Sequence, residues 1–367
     1  MAVEIADWND LDNVRNDLTG DYVLVNDLDS DTAGYTGIGD DFEPIALTSD
    51  FVGSFDGDGF LISDVVIEYG DGDNIGLFSS TAEGALIENL SVGGSVTVTN
   101  SVVFNCAGLV GRNDGATIQN CVSHIDVTVP DGRRLGGLVG FNLGTVTDSY
   151  ATGSVEGDSE VGGLVGRTRE TVQTSYAVGL VSGNEDVGGL VAFDRFGPNV
   201  SNSYADSEST GQDVAIGNQD DDDYTNVTTL TTAEMQGNEA ETNMDGFDFA
   251  DVWDAVLESD DDTSADGYPI LLALNRENQL EAQGILDLTV DITGQITLDG
   301  TGVETADVIG FNLTHNEFGG KTETDTEGNY TLTVDGTEEG SGDTIAVAVD
   351  FDDGTERYGR VVTTVLE

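Results

Sequence analysis

The central part of the chain carries an internal repeat in which short apolar segments alternate with Gly, Asn and Asp. Copies of a Gly-Leu-Val core recur at intervals of 29, 26 and 26 residues, and a Ser-Tyr-Ala column follows at residues 149–151, 175–177 and 203–205. The leucines of the four copies are Leu109, Leu138, Leu164 and Leu190. The segments are too short for helices and lack a 3.6-residue period, so the pattern predicts short β-strands.

A repeat unit of this size cannot bury its own apolar face, whereas stacked units can. Short strands stacked in parallel form a β-helix, whose coils rise by the strand spacing of about 4.8 Å. We therefore predict an all-β chain with a parallel β-helix over residues 20–225, in roughly seven or eight coils.

Different patterns flank the repeat. A helical face ahead of it is predicted from Trp8, Leu11, Val14 and Leu18. After it, Thr231 and Glu234 resemble a capping box that opens a short helix, and apolar residues lead to a last strand at 268–272. From about residue 285, alternating segments predict a small antiparallel β-sandwich. The predicted domains are residues 1–225 (N-terminal cap and β-helix), 226–284 (C-terminal cap of the β-helix) and 285–367 (sandwich).

The net charge restricts the partners. The chain has 71 acidic and 11 basic side chains and a formal net charge of −60. Such a surface repels phosphate and anionic lipid, so nucleic acid is excluded as a partner. No run of 18 apolar residues exists, so no membrane insertion is predicted. A single Lys favours a source adapted to molar salt, where the Debye length is about 3 Å, over a calcium-loaded extracellular protein.

The charge is unevenly distributed along the chain. Residues 101–200 carry a net charge of −5 and hold six of the ten arginines, whereas residues 1–100 carry −20 and residues 201–300 carry −23. One explanation is that a repeat core has little surface. The other is that part of this region faces protein instead of brine.

The repeat resembles the GLUG repeat of cell-surface and adhesin-like proteins of bacteria and archaea. The resemblance covers roughly residues 5–275 and rests on motifs such as Gly-Gly-Leu-Val-Gly at 136–140 and the Ser-Tyr-Ala column. It implies a right-handed parallel β-helix and says little about activity. The chain departs from the motif at Ala192, which replaces a Gly, and at 167–169, where Asn is expected. Residues 324–332 are similar to the signature hairpin of carboxypeptidase-regulatory-like sandwich domains, which implies a structural or adhesive module.

Candidates for catalysis and redox chemistry are few. The two histidines, His124 and His315, belong to no Ser-His-Asp order and no metal-binding pair. Asp56 and Asp58 could serve a polysaccharide-cleaving enzyme, but a close Asp pair is expected by chance in so acidic a chain, and a turn explains it. The two cysteines are Cys106 and Cys121. They are interpreted as free core residues, with a bond between them as the alternative.

Metal candidates are limited to acidic loops. Asp71, Asp73, Asp220 and Asp222 offer hard oxygen ligands for weakly bound Ca²⁺ or Mg²⁺. None of these segments has the full spacing of a calcium loop, so solvated loops are the main interpretation. No other cofactor motif is present.

Two columns of side chains are candidates for contacts. Stacking the coils would place Arg112, Phe141, Arg167 and Phe193 in an alternating cation–π ladder. This ladder either stabilises one chain or forms an interface with a neighbouring subunit. Tyr150, Tyr176 and Tyr204 form a second column, interpreted as a structural ladder or, alternatively, as a glycan-stacking face.

These observations predict a non-catalytic structural or attachment protein of a halophilic system. The N-terminus lacks the basic and apolar regions of a signal peptide, which favours a protein assembled into a virion surface as a spike, turret or fibre of a virus infecting haloarchaea. Its expected partners are itself, as a trimer or pentamer, other virion proteins, and a host surface glycoprotein or glycan. The alternatives are an exported haloarchaeal cell-surface adhesin and a polysaccharide-cleaving β-helix enzyme.

Overall fold

A computed structural model describes the side chains of residues 2–69, 72–98, 102–219, 224–260 and 263–285, and beyond them the backbone of eight strands. The chain divides into two compact units. The first unit consists of Met1–Leu257 and Gly267–Gln283, and the second of Glu258–Asp266 and Gly284–Glu367.

In the described part of the first unit, parallel strands stack into a β-solenoid of about six turns. One sheet contributes six strands, in the order Ile216–Gln219, Val191–Asp194, Val165–Thr168, Val139–Asn142, Val110–Asp114 and Phe78–Ala82. A second sheet contributes four, in the order Glu185–Gly188, Ser159–Gly162, Arg133–Gly136 and Phe104–Ala107. The predicted parallel β-helix is confirmed, with about six turns instead of seven or eight.

A third, longer sheet closes the coil, and all its described pairings are parallel. Its 14 described strands are Val3–Ile5, Asp21–Leu24, Ser54–Asp56, Leu61–Tyr69, Leu86–Val98, Thr117–Thr128, Thr145–Thr147, Tyr150–Ala151, Val155–Glu156, Val172–Gln173, Tyr176–Ala177, Val181–Ser182, Val200–Asp206 and Thr225–Leu230. Ile87 and Ile118 are paired across it and fully buried, so their sequence neighbours point outward.

The core consists of columns of equivalent residues. The four repeat leucines, Leu109, Leu138, Leu164 and Leu190, are fully buried. Cys106 pairs with Leu135, and Val161 and Val187 continue the same column. Glycine is required where two sheets touch, because a Cβ on Gly140 would lie 2.6 Å from the backbone of Asn105. The repeat therefore encodes both the apolar filling and the close approach of the sheets.

Polar ladders fill the corners of the coil. Asn113 donates from Nδ2 to Oδ1 of Asn142 at 2.9 Å, and Asn142 donates to Oγ1 of Thr168 at 3.1 Å. Thr168 therefore accepts this hydrogen bond at the position where the repeat motif predicts an Asn. A second corner is held by residues with left-handed backbone, which are Asn89, Asn120, Asp148, Thr174, Asn202 and Asn226.

The predicted N-terminal helix is confirmed. An α-helix spans Trp8–Asn13, and its N-cap Asp7 accepts a hydrogen bond from the backbone N–H of Asp10 at 2.9 Å. Trp8, Leu11 and Val14 are fully buried, as the helical face predicts. The other described helices are Ser207–Thr210, Gly237–Asn243 and Arg276–Gln283, with 3-10 turns at Val14–Asn16, Gly39–Asp41 and Thr232–Glu234. None of the helices in the described residues has the length and hydrophobicity that a membrane span requires.

The segment after the last coil falls within the predicted C-terminal cap at 226–284. The described residues 231–257 and 267–283, which we call the flank segment, run back along the side of the solenoid. From the last coils to the first, hydrogen bonds join Tyr204 Oη to Asp245 O, Tyr176 Oη to Pro269 O, Tyr150 Oη to Gln279 Oε1, Asn275 N to Gly59 O and Asn278 Nδ2 to Asp27 Oδ2. The tyrosine column is an aromatic stripe on the outside of the coils, and the flank segment covers it.

The flank segment is held by aromatic packing. The rings of Tyr150 and Tyr176 stack with centroids 4.7 Å apart, and Trp253 lies 5.7 Å from Tyr176. Phe247 lies 5.8 Å from Tyr204. A two-stranded antiparallel pairing of Trp253–Asp254 with Ile270–Leu271 connects the two halves of the segment. All three tyrosines are therefore interior residues.

The second unit contains antiparallel strands, as predicted. Thr289–Gln295 pairs with Asn329–Asp335, Thr297–Leu298 pairs with Thr301–Gly302, and a four-stranded sheet has the order Glu317–Glu323, Asp307–Asn312, Thr344–Asp352 and Arg357–Val365. The strands at 307–312 and 317–323 were not predicted, because glycines interrupt their alternation of apolar and polar residues. The packing of these sheets as a sandwich remains a prediction.

Gln279 anchors the flank segment and provides a test of its packing. This buried amide accepts from Tyr150 Oη at 3.1 Å and from Leu271 N at 2.8 Å, and donates to Leu271 O at 3.0 Å. Gln279→Ala should leave these groups unpaired and lower the free energy of unfolding by roughly 3 kcal/mol. It should also raise hydrogen exchange across the flank segment. Glu281→Ala, at an exposed position of the same helix, is the control, and equal exchange in the two variants would contradict the packing described.

Candidate functional site

The alternating ladder of arginine and phenylalanine forms one column on the outer side of the six-stranded sheet. Phe141 pairs with Arg112 in one direction and with Arg167 in the other, and Arg167 pairs with Phe193. The guanidinium of Arg112 lies 5.4 Å from the ring centroid of Phe141, and that of Arg167 lies 4.7 Å from Phe193. The stacking of the coils thus brings the four predicted residues together.

The ladder belongs to a larger cluster. All six arginines of residues 101–200 lie over a phenylalanine ring, at 4.7–6.0 Å from its centroid. We call this cluster the arginine–phenylalanine face. Its members are Arg112, Arg133, Arg134, Arg167, Arg169 and Arg195 with Phe104, Phe141, Phe193 and Phe196. An interaction of this type contributes about 0.5–2 kcal/mol, depending on desolvation.

Burial divides the face into two parts. Phe141 is 4% exposed and Arg167 is 7% exposed, so these two residues stabilise the chain internally. Phe196 is 67% exposed and lies between two guanidiniums, 5.5 Å from that of Arg169 and 5.0 Å from that of Arg195. The second part is accessible to another molecule, and it is flanked by the partly exposed side chains of Phe104, Arg112, Arg133, Arg134 and Phe193.

A buried carboxylate organises the interior part. Glu160, in a left-handed backbone conformation, accepts from Arg167 Nη2 at 2.8 Å, and its Oε2 lies 2.6 Å from Arg167 Nε and 3.4 Å from Arg134 Nε. Burial lowers the pKa of Arg167, Glu160 opposes that shift, and the neighbouring Arg134, Arg169 and Arg195 reinforce it. Glu160 therefore compensates a concentration of positive charge that the coil alone could not bury.

The exposed part of the face has an excess of positive charge. Arg112 pairs with Asp114 at 3.0 Å, and Glu160 serves Arg134 and Arg167. Within the part of the chain that the structure describes, Arg169 and Arg195 make no ion pair, and their buried Nε atoms have no hydrogen-bond acceptor. Arg133 also has no ion pair among the described residues, but its Nε donates to Ser159 Oγ at 2.7 Å. Arg169 and Arg195 are thus held in place by aromatic stacking without a carboxylate.

The burial of the tyrosine column agrees with its interpretation as a structural ladder and not with the alternative of a glycan-stacking face. Tyr150 and Tyr176 are fully buried and Tyr204 is 2% exposed beneath the flank segment, so no sugar can stack on them in this arrangement. Burial raises the pKa of all three hydroxyls, that of Tyr204 to about 12. The tyrosines are internal hydrogen-bond donors.

Of the metal candidates, Asp71, Asp220 and Asp222 lie outside the described residues. Asp73 accepts a hydrogen bond from Phe104 N at 2.8 Å. No cluster of three or more His, Cys, Asp or Glu suited to a metal ion occurs among the described residues. Bound Ca²⁺ or Mg²⁺ remains a prediction.

The remaining polar candidates have structural partners. Asp56 Oδ1 accepts from Asp58 N at 2.9 Å and from Asn89 Nδ2 at 3.0 Å, which is the geometry of a turn. Cys106 and Cys121 are buried and free, and burial raises the pKa of both thiols to about 12. The predicted alternative of a bond between them is therefore not what the structure shows. His315 lies outside the residues whose side chains are described.

Sequence reasoning missed six members of the site. They are Arg133, Arg134, Arg169, Arg195, Phe104 and Phe196, together with the organising Glu160. The excess of arginine in residues 101–200 signalled their region. Their convergence could not be foreseen, because it requires two different sheets and a loop to meet at one corner.

The comparisons with known proteins concern part of the chain. Residues 131–156 match the model of the GLUG motif. The chain is 34% identical over 143 residues to Halomucin of the halophilic archaeon Haloquadratum walsbyi, in an alignment that spans 37% of this chain and 2% of that protein. It is 35% identical over 168 residues to a putative Gly-rich membrane protein of Evansella cellulosilytica, with 37% and 19% covered. The chain thus spans a small part of these relatives. No solved structure gives a significant match.

The role of Glu160 can be tested by removing it. Glu160→Ala should lower the free energy of unfolding by about 3–5 kcal/mol, because it leaves the buried Arg167 uncompensated. Asp114→Ala removes the exposed partner of Arg112 and should cost at most about 1 kcal/mol. Chemical denaturation of both variants in the same concentrated salt provides the comparison. Equal losses would show that Glu160 does not organise the face.

His124 gives the solenoid a specific acid sensitivity. Burial lowers the pKa of its imidazole to about 4, below the ordinary value of 6.5. Between these two pH values the imidazole binds a proton in the unfolded chain but not in the folded chain. The free energy of unfolding therefore decreases as the pH falls from 6.5 towards 4. Between pH 7 and pH 4 the unmodified protein should lose up to about 3 kcal/mol more than His124→Gln. Carboxylates titrate in both proteins, so parallel pH profiles would contradict this assignment.

Proposed function

We propose that this protein is a non-catalytic structural protein at the outer surface of a halophilic cell or virion. In this proposal the solenoid is a rigid spacer, and the exposed part of the arginine–phenylalanine face is a contact surface. The observation that carries the proposal is the GLUG motif at residues 131–156, placed within a parallel solenoid. The match to Halomucin of a halophilic archaeon supports the salt adaptation inferred from the net charge of −60.

The polar residues of the coils support a structural role. Asp56, the residue on which a polysaccharide-cleaving activity would depend, is held in a turn by Asp58 N and Asn89. Asn113 and Asn142 are buried in hydrogen-bonded ladders. Side chains in such bonds hold the turns and corners of the coils in shape.

The two settings of the proposal are a virion surface and a cell surface. A spike, turret or fibre of a virus infecting haloarchaea is the setting predicted from the sequence. The similar proteins come from cellular organisms, and one is described as a putative membrane protein, which supports a cell-surface adhesin as the second setting.

Quantitative mass spectrometry of a fractionated source culture tests this proposal. Cytosol, cell envelope and particles purified from the medium would be compared, with ribosomal proteins as the cytosolic marker. We expect the protein in the envelope or the particle fraction. Co-migration with capsid proteins, and absence from uninfected cells, would assign it to a virion, whereas an envelope fraction without particles would assign it to the cell. Recovery with the ribosomal marker alone would overturn the proposal.

A further inference from the structure

We propose that the exposed part of the arginine–phenylalanine face binds the acidic surface of a second copy of this chain. The inference deepens the proposed function, because it names the partner of the contact surface. It is argued from the charge of the face, from its exposed apolar group and from the spacing of the coils.

The face has more guanidiniums than carboxylates, so its charge is suited to a partner molecule that supplies carboxylates. Six guanidiniums converge on it, and the described carboxylates that pair with them are Glu160 and Asp114. Arg169 and Arg195 have no ion-pair partner among the described residues, although the chain contains 71 acidic side chains. Planar guanidiniums bind carboxylates through two parallel hydrogen bonds, so these two arginines are suited to a carboxylate of a docked molecule.

The apolar part of the face makes the contact suitable for concentrated salt. Phe196, exposed to 67%, lies within 5.5 Å of the guanidiniums of both Arg169 and Arg195. Long-range attraction is screened within about 3 Å at 1 M salt, whereas stacking and hydrogen bonds between atoms in contact persist. Aromatic residues and arginine are also the residue types that protein interfaces favour. The face therefore has the composition of an interface centre.

A second copy matches the face in both charge and spacing. Asp56, Glu88 and Gln119 are in register on the outer side of the long sheet, one residue per coil. Coils of two identical solenoids have the same rise of about 4.8 Å, so a column of acceptors on one copy can align with the column of guanidiniums on the other. The two columns lie on different sheets, so the contact either forms twice in a two-fold dimer or continues head to tail into a closed ring or a filament.

The molar mass of the full chain in several molar KCl, measured by light scattering and by sedimentation, tests the inference. The unmodified protein should form a species of two or more chains. The variant Arg169→Gln/Arg195→Gln/Phe196→Ser should be monomeric with an unchanged circular dichroism spectrum. The control is Leu180→Ser/Ser182→Asp/Asn238→Asp, which removes an equally exposed apolar side chain and also lowers the charge by two. This control should retain the mass of the unmodified protein.

Three results would overturn the inference. They are a monomeric unmodified protein at every concentration, a face variant that keeps its assembly, and a control that dissociates as the face variant does. Co-sedimentation of a monomeric unmodified protein with polygalacturonate, lost in the face variant, would assign the face to acidic glycans instead. The mass measurement does not depend on where the protein resides, so either proposal can fail without the other.

Discussion

The in-register stacking of equivalent residues is the constraint on which this structure depends. Each coil offers its backbone N–H and C=O groups to the next coil, and the spacing of about 4.8 Å places every side chain beside its counterpart. Uncharged residues can be repeated at such a position: leucines fill the core, the amide of Asn113 donates to that of Asn142, and Tyr150 stacks on Tyr176. Like charges in direct contact repel, and where Asp56 and Glu88 stack in register, their carboxylates accept hydrogen bonds from Asn89 and Gln119. The alternation of Arg112, Phe141, Arg167 and Phe193 satisfies this constraint by placing a phenyl ring between guanidiniums.

The same constraint explains what the sequence could predict. The intervals of 29 and 26 residues set the register of the coils, so the position of Cys106 in the column of Leu135, 29 residues later, followed directly from the spacing. The entry helix was predictable because its apolar residues lie within one local period. The path of the flank segment was not, since Gln279 meets Tyr150 across 129 residues and no local pattern encodes that contact. Glu160 lies only seven residues before Arg167, and it was missed for a different reason: the two residues lie on different sheets, and the ion pair forms across the corner between them.

The arginine–phenylalanine face explains why the arginines are concentrated in one part of the chain. A net charge of −60 keeps the protein hydrated in concentrated salt, but it also leaves few cations for specific contacts. Six of the ten arginines are gathered at one corner of the solenoid, where phenylalanine rings and Glu160 hold them. Arginine suits this position better than lysine, because its weakly hydrated planar group stacks on aromatic rings. The acidic surface thus solvates the chain, whereas the basic corner holds the contact surface that we propose.

The path of the flank segment changes how the solenoid should respond to stress. An array of coils in which each turn contacts only its neighbours behaves as a one-dimensional chain and can fray from either end. Here, Asp245 is bonded to the coil of Tyr204, whereas Asn275 and Asn278 are bonded to Gly59 and Asp27 near the opposite end. A terminal coil cannot detach without breaking contacts that reach across the array. The flank segment therefore cross-links the coils along the length of the array. This cross-link should make their unfolding a single cooperative transition.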